Sequence, residues 1–218
     1  MTERMGYYPI NLQIAGRQCA VIGGGTVAAR KVKSLLAADA IVTVVSPELT
    51  ATLDRMAQQG RIRWARREFQ AGDTQDYFLV ICATDNSDAN QAVYREARQN
   101  GVLVNVVDVP ELCDFTIPAQ VTRGDLLLTV STGGKSPMLA RRLREELESL
   151  YGPEYGQYLE LVAEIRRDIR QRMGAGRDRE VFWRESLNSE ILLLLRQGRL
   201  EDAKEKIIHA AGSIGTES

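Results

Sequence analysis

Residues 21–31, VIGGGTVAARK, place three consecutive glycines between an apolar run and a predicted helix. Gly23, Gly25 and Ala28 give the spacing G-x-G-x-x-A, with Gly24 between the two glycines. In this motif the first glycine permits a tight turn and the second lets a pyrophosphate approach the backbone. The small third residue lets the helix pack against the strand. Because a helix N-terminus also favours an anion, the stretch predicts a dinucleotide-binding loop rather than a merely structural turn.

Short apolar runs alternate with helical segments on both sides of this loop. The predicted strands are Gln18–Ile22, Ile41–Val45, Arg61–Ala65, Tyr77–Ala83 and Val102–Val107, and the predicted helices are Thr26–Ala38, Glu48–Gln59 and Ser87–Asn100. Strands that alternate with helices of this length indicate βαβ units and a parallel sheet. Residues 1–113 are therefore predicted to form a Rossmann-type doubly wound α/β domain.

The pattern changes after residue 113. Residues 115–121 and 126–131 are predicted to be adjacent strands with a turn at 122–125, followed by a helix that Ser136 caps. Residues 114–150 are thus predicted to form a small β-containing region, and residues 151–218 a helical C-terminal domain. In that domain we expect a loop at 174–176 and one apolar stripe, formed by Leu159, Val162, Ile165 and Ile169.

The composition limits the class of partner. The chain has 28 Lys and Arg residues against 29 Asp and Glu, so it lacks the basic excess of a general nucleic-acid binder. Cys19, Cys82 and Cys113 are odd in number and lack Cys-x-x-Cys spacing, so neither a disulfide framework nor a metal site is predicted. No signal-peptide pattern or apolar run of membrane-spanning length is present. We therefore predict a cytoplasmic protein that binds neither nucleic acid nor membrane.

Polar residues follow several of the predicted strands, at the edge where ligands bind in such sheets. They are Ser46, Pro47 and Glu48 after the second strand, Thr84 and Asp85 after the fourth, and Asn105 and Asp108 at the fifth. Each of them also suits a turn or a helix start. Ser46 or Glu48 is predicted to contact the adenosine ribose, although Glu48 also suits the next helix. No arginine follows the second strand to favour a 2′-phosphate, so NAD is predicted over NADP.

Four ordered stretches carry a resemblance to a known family: YYPINLQIAGRQCAVIGGGTVAARKVKSLL, ATDNSDAN, NVVDVPELCDFTIPA and STGGKSPMLARRLREELE. Together they resemble the precorrin-2 dehydrogenase domain of siroheme synthase. The resemblance implies NAD-dependent oxidation of precorrin-2 to sirohydrochlorin in sirohaem biosynthesis. It also implies a homodimer with a Rossmann domain, a small dimerisation region and a helical tail. Some family members insert iron as well, and the resemblance leaves that activity open.

The resemblance further implies site residues. The key aspartate of the family falls on Asp108, and its dinucleotide contacts fall on Thr26, Val27, Pro47 and Glu48. Since dehydrogenation releases a proton, a carboxylate at Asp108 is placed to accept it. Holding the pyrrole N–H groups of the macrocycle, or starting the turn before the next proline, are the alternatives for this aspartate.

The substrate that the resemblance implies is a polycarboxylate, so a basic pocket is expected. The stretch STGGKSP leads into a helix N-terminus, which is a natural anion site. Lys135 in this stretch is predicted to bind substrate. Thr132 falls where some family members carry a phosphorylated serine, and Asn105 is predicted to orient substrate or cofactor through its amide.

Two other classes share the nucleotide-binding half of the sequence. One is an NAD(H)-sensing regulatory module without catalysis, and the other is a dehydrogenase of a different small acidic substrate. The sensor would need neither Asp108 nor the STGGKSP loop, and the other dehydrogenase would not require the motifs of the second half.

Overall fold

The computed structural model describes residues 6–172 and 189–214. These residues belong to two compact units. The first unit is Gly6–Ile117, and the second begins at Pro118.

The first unit is a five-stranded sheet with helices in the connections. All of its paired strands are parallel, in the order β3-β2-β1-β4-β5. Its strands are β1 Gln18–Ile22, β2 Ile41–Val45, β3 Arg63–Ala65, β4 Leu79–Cys82 and β5 Leu103–Val106, and its helices are α1 Thr26–Ala37, α2 Ala51–Gln58 and α3 Ser87–Gln99. The prediction of a Rossmann-type parallel sheet is confirmed.

Apolar residues on both faces of the strands explain why the sheet is covered on each side. Alternate residues of a strand point to opposite faces. Cys19 and Val21 of β1 pack in a cluster with the buried side of α1 and with α2, whereas Ala20 and Ile22 pack in a second cluster with α3. The near-continuous apolar run of β1 is therefore the pattern expected of a central parallel strand.

Strand β1 pairs with β2 on one side and with β4 on the other. The winding direction of the chain therefore reverses beside β1. In open α/β sheets ligands bind at such a reversal, outside the carboxyl ends of the strands. The glycine loop, Gly23–Gly25, joins β1 to α1 at this edge.

Helix α2 begins at Ala51, so the prediction that a helix starts at Glu48 is wrong. Residues 46–50 form a loop that lies against the glycine loop instead. The Thr50 N–H donates to the Gly24 carbonyl oxygen at 2.9 Å, which fixes the end of this loop. A contact between residues this far apart in the chain leaves no local signature in the sequence.

The second unit begins with an antiparallel hairpin of β6 Ala119–Arg123 and β7 Leu126–Val130. Its turn consists of Gly124 and Asp125 alone, with Gly124 at a φ of 55°, so the predicted four-residue turn is too long. In the described part of this unit four helices follow: α4 Pro137–Leu150, α5 Glu154–Arg172, α6 Ser189–Arg196 and α7 Leu200–Ile214. The Ser136 hydroxyl accepts a hydrogen bond from the Leu139 N–H at 3.2 Å, which confirms the predicted cap of α4.

A small core joins α5, α6 and α7. Tyr158, Leu161 and Ile165 of α5 are buried against Ile191 and Leu195 of α6 and against α7. The predicted stripe on α5 is thus rotated, because Leu159 and Val162 are only partly buried. The side chain of Ile169 and the predicted loop at 174–176 lie outside the described part of the chain.

Two glycines bring the start of α5 against the hairpin. A Cβ atom on Gly156 would lie 3.0 Å from the carbonyl carbon of Arg123, and one on Gly124 would lie 3.2 Å from the Cα atom of Gly156. The Arg123 side chain extends the contact, since its Nε donates to the Tyr151 carbonyl oxygen at 2.9 Å. The hairpin therefore packs on the junction between α4 and α5.

We expect Glu154→Gln to destabilise the second unit in a pH-dependent way. Burial would raise the pKa of Glu154, but hydrogen bonds from Arg196 Nε at 2.7 Å and from the backbone lower it overall. A lowered pKa stabilises the fold above the ordinary glutamate value of 4.5, and this contribution is lost as the pH falls through the folded-state pKa. Half of the Arg196 side chain remains exposed. The free energy of unfolding at pH 7 should therefore fall by about 1–2 kcal/mol.

Urea unfolding at pH 7 and at pH 3.5 measures this effect. The difference between wild type and variant should shrink at the lower pH. Glu160→Gln, an exposed glutamate on the same helix, is the control and should change little. A difference that is equal at the two pH values would contradict the ion-pair explanation.

Candidate functional site

The three glycines of the loop have different surroundings. Gly23 has a φ of 117°, and a Cβ atom there would lie 2.3 Å from the Ala83 carbonyl oxygen. A Cβ atom on Gly24 would lie 1.9 Å from the Glu48 carbonyl oxygen. Around Gly25 no atom lies within 4 Å of the Cβ position. The first two glycines are required by close backbone packing, and the third leaves open space.

Gly25 is also the N-cap residue of α1, with no side-chain hydrogen bond to the first turn. The first N–H groups of a helix have no acceptor within the helix. Those of Thr26 and Val27 therefore lie at the open side of Gly25, where the helix dipole favours negative charge. This arrangement fits the pyrophosphate of a dinucleotide.

The loop after β2 forms the second wall of the site. Ser46 is buried, and its hydroxyl donates to the Glu48 carbonyl oxygen at 2.7 Å. The Ser46 carbonyl oxygen accepts a hydrogen bond from Trp64 Nε1 at 2.9 Å. The hydroxyl proton of Ser46 is thus used to shape the loop, whereas Pro47 and Glu48 are exposed at its tip.

An arginine, Arg66, lies beside the loop after β2, although no arginine follows β2 in the sequence. Arg66 follows β3, which pairs with β2 so that Val45 lies opposite Ala65. The Arg66 guanidinium lies 5.3 Å from the centroid of the Trp64 ring, over the ring face. The loop after β2 itself carries no arginine, as the sequence indicates, so Arg66 reaches this side of the sheet from the neighbouring strand. The pairing of β2 with β3 is a long-range feature that the sequence alone does not show.

The residues after β4 divide into one that lines the loop and one that faces solvent. Thr84 is half-buried beside Gly23, and its Oγ1 accepts a hydrogen bond from the Asn86 N–H at 3.2 Å. Asn86 caps α3 by accepting from the backbone N–H groups of Asp88 and Ala89. Asp85 is exposed. Of the two predicted residues, Thr84 is the one adjacent to the glycine loop.

Asp108 lies in a tight turn just after β5. Its φ of 63° is in the left-handed region, which aspartate tolerates better than most residues, and its side chain is exposed. The turn is closed by a hydrogen bond from the Val109 N–H to the Val106 carbonyl oxygen at 3.3 Å. A non-glycine residue held in this conformation is common at functional sites.

Cys113, which the sequence did not single out for this site, stabilises the turn through its thiol. Its sulfur lies 3.2 Å from the Val106 carbonyl oxygen and 3.3 Å from the Val109 carbonyl oxygen, so the two acceptors share its single proton. Burial raises the pKa of the Cys113 thiol, so the sulfur keeps the proton that it donates. The cysteine therefore holds both ends of the turn that carries Asp108.

Asn105 holds the segment that returns past β5. Its side chain is buried, and its Nδ2 donates to the Phe115 carbonyl oxygen at 2.9 Å and contacts Cys113 Sγ at 3.4 Å. The Asn105 amide, predicted to orient substrate or cofactor, thus makes its described hydrogen bonds to Cys113 and Phe115, in the segment that follows the Asp108 turn.

Lys31 of α1 is a second residue that sequence reasoning missed. It is half-buried, and burial together with Arg30 lowers its pKa, while Asp108 and Cys113 act in the opposite direction. These interactions place the Lys31 amine near the turn after β5. Its signal in the sequence was its spacing of three residues from Ala28 and four from Leu35, both of which are buried.

The two predicted substrate residues of the STGGKSP stretch belong to the second unit. The Thr132 hydroxyl donates to the Ser136 carbonyl oxygen at 3.1 Å and accepts from the Ser136 N–H at 3.2 Å. Lys135 is exposed. Hydrogen bonds of the Thr132 hydroxyl therefore hold the shape of this loop, and the exposed Lys135 lies just before the start of α4.

Among the described residues, no three His, Cys, Asp or Glu side chains form a group that could hold a metal ion. No helix in residues 6–172 and 189–214 combines the length and apolar character needed to cross a membrane.

Three family models match consecutive parts of the chain. An NAD(P)-binding model matches residues 10–119, a sirohaem biosynthesis central-domain model matches residues 123–150, and a sirohaem synthase dimerisation-region model matches residues 154–210. Together with the open glycine loop, the first model defines the class. The chain contains an NAD(P)-binding domain of the Rossmann type and a dimerisation region.

Curated relatives and a solved structure define the family. The siroheme synthases of Methylococcus capsulatus and Nitrosococcus oceani are 42% and 43% identical to the chain over 207 and 200 residues, covering 95% and 92% of it. The chain spans only 44% and 43% of those relatives. The structure of SirC, a precorrin-2 dehydrogenase, superposes with a TM-score of 0.77 at 31% identity, covering 93% of this chain and 100% of SirC. The chain belongs to the precorrin-2 dehydrogenase and siroheme synthase family.

We expect Gly25→Asp to abolish dinucleotide binding without unfolding the protein. The space around Gly25 is open and its φ is −77°, so an aspartate fits, and aspartate is a favoured N-cap residue. Its carboxylate would lie against the pyrophosphate, and a like-charge contact of this kind costs several kcal/mol. The dissociation constant for NAD should rise roughly 100-fold or more. Calorimetric titration and thermal unfolding measure the two effects separately.

Two variants serve as controls for this substitution. Gly60→Asp introduces the same charge at another position with open space, where the φ of 68° is one that aspartate tolerates better than most residues, and it should leave NAD affinity unchanged. Gly24→Ala places a methyl group against the Glu48 carbonyl oxygen, so it should lower both NAD affinity and the unfolding temperature. Normal NAD affinity in Gly25→Asp would refute the assignment of the loop.

Proposed function

We propose that the protein catalyses the NAD-dependent dehydrogenation of precorrin-2 to sirohydrochlorin, a step of sirohaem biosynthesis. The observation that carries this proposal is the match to SirC, which extends over the whole of that precorrin-2 dehydrogenase. The glycine loop and the Asp108 turn support it, because they lie at the carboxyl ends of strands in one sheet. The segment roles follow: nucleotide binding by residues 1–113, dimerisation and substrate contact by 114–150, and a helical domain from 151.

The residues of the first unit provide a place for the cofactor. The backbone of Gly23–Gly25 and the N–H groups of Thr26 and Val27 hold the pyrophosphate. The loop of residues 46–48 borders the adenosine ribose, and Thr84 borders the glycine loop from the other side. When bound, NAD supplies the acceptor for the hydride that leaves the substrate.

Asp108 is the residue that we assign to the accompanying proton. Oxidation of the macrocycle removes a hydride and a proton, and the proton needs a base within reach. The Asp108 carboxylate is exposed at the end of β5, on a turn that Cys113 and Asn105 hold in place. The turn therefore fixes the backbone from which the carboxylate extends, at the carboxyl edge of the sheet.

NAD rather than NADP is the proposed cofactor. Ser46, Pro47 and Glu48 occupy the loop where the ribose is expected, and Arg66 is the cation of this corner. Its guanidinium lies over the Trp64 ring, 5.3 Å from the ring centroid, a contact that occupies the cation. The assay below compares the two cofactors directly.

The acidic periphery of the substrate is assigned to Lys135 and Thr132. Lys135 is an exposed cation at the start of α4, next to a helix N-terminus that favours carboxylates. Thr132 fixes the shape of this loop through Ser136. Iron insertion into sirohydrochlorin, in which the metal is a substrate, stays a prediction.

Anaerobic conversion of precorrin-2, followed by absorbance with NAD, with NADP and with neither, tests the proposed function. We expect sirohydrochlorin to form with NAD and more slowly with NADP. Fe²⁺ added to the same cuvette tests for chelation above the uncatalysed rate. Untouched precorrin-2 in a protein that still binds NADH would refute the enzyme and favour the NAD(H)-sensing module.

Asp108→Asn is the matched variant for this assay. Asparagine keeps the size and the left-handed backbone but cannot act as a carboxylate base, so turnover should fall about 10²–10⁴-fold with unchanged NAD affinity. Asp39→Asn is the control, because Asp39 has a similar φ of 57° after α1, before the amino end of β2. Normal turnover in Asp108→Asn would make Asp108 a purely structural turn residue.

We also propose that the protein is a homodimer, that it acts in the cytoplasm, and that it binds neither nucleic acid nor membrane. Every residue of α4 is at least partly exposed in the single chain, although the helix carries several large apolar side chains. Leu139, Leu143 and Leu150 lie along one side of it at exposures of 47%, 37% and 64%. An exposed apolar stripe just before residues 154–210, which the dimerisation-region model matches, supports cover of α4 by a second copy.

Leu139→Glu combined with Leu143→Glu should shift the protein from dimer to monomer in light scattering after size exclusion. Two carboxylates on the stripe would have to be buried in the interface, which is costly. Arg141→Glu, which lies on the opposite side of α4, is the control and should stay dimeric. A dimeric double variant would place the interface elsewhere.

A further inference from the structure

Helix α1 carries a lysine on the side that packs toward the sheet. Ala28, Val32 and Leu35 are the buried residues of that side, and Lys31 lies among them at helical spacing. The lysine is half-buried, whereas Lys33, two residues further, is exposed. Burying an ammonium group is costly unless it finds an anion. The position of Lys31 is therefore not explained by packing alone.

Within the described residues, Lys31 forms neither a hydrogen bond nor an ion pair within 4 Å. The charged and titratable groups that face it are Arg30 on its own helix, and Asp108 and Cys113 on the segment after β5. Burial and Arg30 outweigh the two acidic groups, so the pKa of Lys31 is lowered. The three N–H donors of its ammonium group are thus available to an anion that the described residues do not provide.

Two observations locate the Lys31 amine: the position of Lys31 along α1 and the interaction of the amine with Asp108. Lys31 is six residues from Gly25, or about 9 Å along the helix axis. Side chains on a helix lean toward its N-terminus, so the amine reaches back toward the carboxyl edge of the sheet. Its interaction with Asp108 agrees with that direction, because Asp108 lies at the same edge after β5.

We propose that Lys31 is a substrate-binding residue that holds a carboxylate side chain of the tetrapyrrole beside Asp108. This inference rests on the proposed function, since it needs a polycarboxylate substrate at the Asp108 turn. A lysine that only neutralised Asp108 would be expected to contact it directly, and no such contact is present. A bound carboxylate would complete the coordination of the amine and bring the macrocycle next to the base.

Steady-state kinetics of three variants test this role. Lys31→Met removes the charge and keeps the length of the side chain, so KM for precorrin-2 should rise about tenfold, the loss of one charged hydrogen bond. KM for NAD and kcat should stay within twofold of wild type. Lys31→Arg should restore most of the affinity for precorrin-2, and Lys33→Met, the matched surface control, should behave as wild type. Lys31→Gln replaces Lys31→Met if the methionine variant does not fold.

The pH dependence of KM supplies a readout that a structural lysine would not move. Because the pKa of Lys31 is lowered, the ammonium group loses its proton at a lower pH than an ordinary lysine. KM for precorrin-2 should therefore rise on the alkaline side in wild type. It should stay flat over the same range in Lys31→Arg, whose guanidinium remains charged.

Each outcome separates this inference from the proposed function. A wild-type protein that does not oxidise precorrin-2 with NAD refutes the function itself. Turnover in wild type with equal KM values for precorrin-2 in Lys31→Met and Lys33→Met overturns the role of Lys31 alone. A loss in kcat at unchanged KM in Lys31→Met also overturns it, because Lys31 would then position Asp108 rather than bind substrate.

Discussion

The close approach of Gly24 to the loop after β2 is the contact on which the rest of the site depends. A side chain at Gly24 would have to lie 1.9 Å from the Glu48 carbonyl oxygen, so only glycine permits the approach. The Thr50 N–H donates to the Gly24 carbonyl oxygen and Ser46 donates to the Glu48 carbonyl oxygen. Hydrogen bonds therefore join the glycine loop and the loop after β2, which are the two walls of the nucleotide site. Gly25 is the position between them that has open space.

Much of the nucleotide-binding half follows from local sequence. The apolar run of β1 and the β-branched run of β2 are patterns of buried parallel strands. The glycine motif spans only residues 23–28, so it can be recognised without knowledge of distant contacts. The features that the sequence did not show all depend on distant contacts. Arg66 lies beside the loop after β2 only because β3 pairs with β2, and α2 starts late because residues 46–50 pack on Gly24.

The same distinction applies to the candidate catalytic turn. The strand pattern placed Asp108 at the end of β5 and the resemblance implied its role, but the left-handed backbone and the nearby Cys113 thiol depend on how residues 109–115 fold back on the strand. The sequence did not indicate Lys31 as a site residue for a related reason. Its charge fits an exposed position on an amphipathic helix, and only the folded chain shows that α1 turns it toward Asp108. Sequence reasoning identified the strands of the site more completely than the side chains that support it.

The left-handed turn at Asp108 also sets which mutations the gene can tolerate there. Asparagine and glycine adopt this conformation readily, and a single-nucleotide change in an aspartate codon reaches either of them. Both would keep the turn, the Cys113 contacts and the glycine loop, while removing the carboxylate. On the proposed mechanism, the enzyme is therefore one base substitution away from a folded protein that binds the dinucleotide without turnover. Loss of activity and loss of the fold are separate evolutionary events at this position.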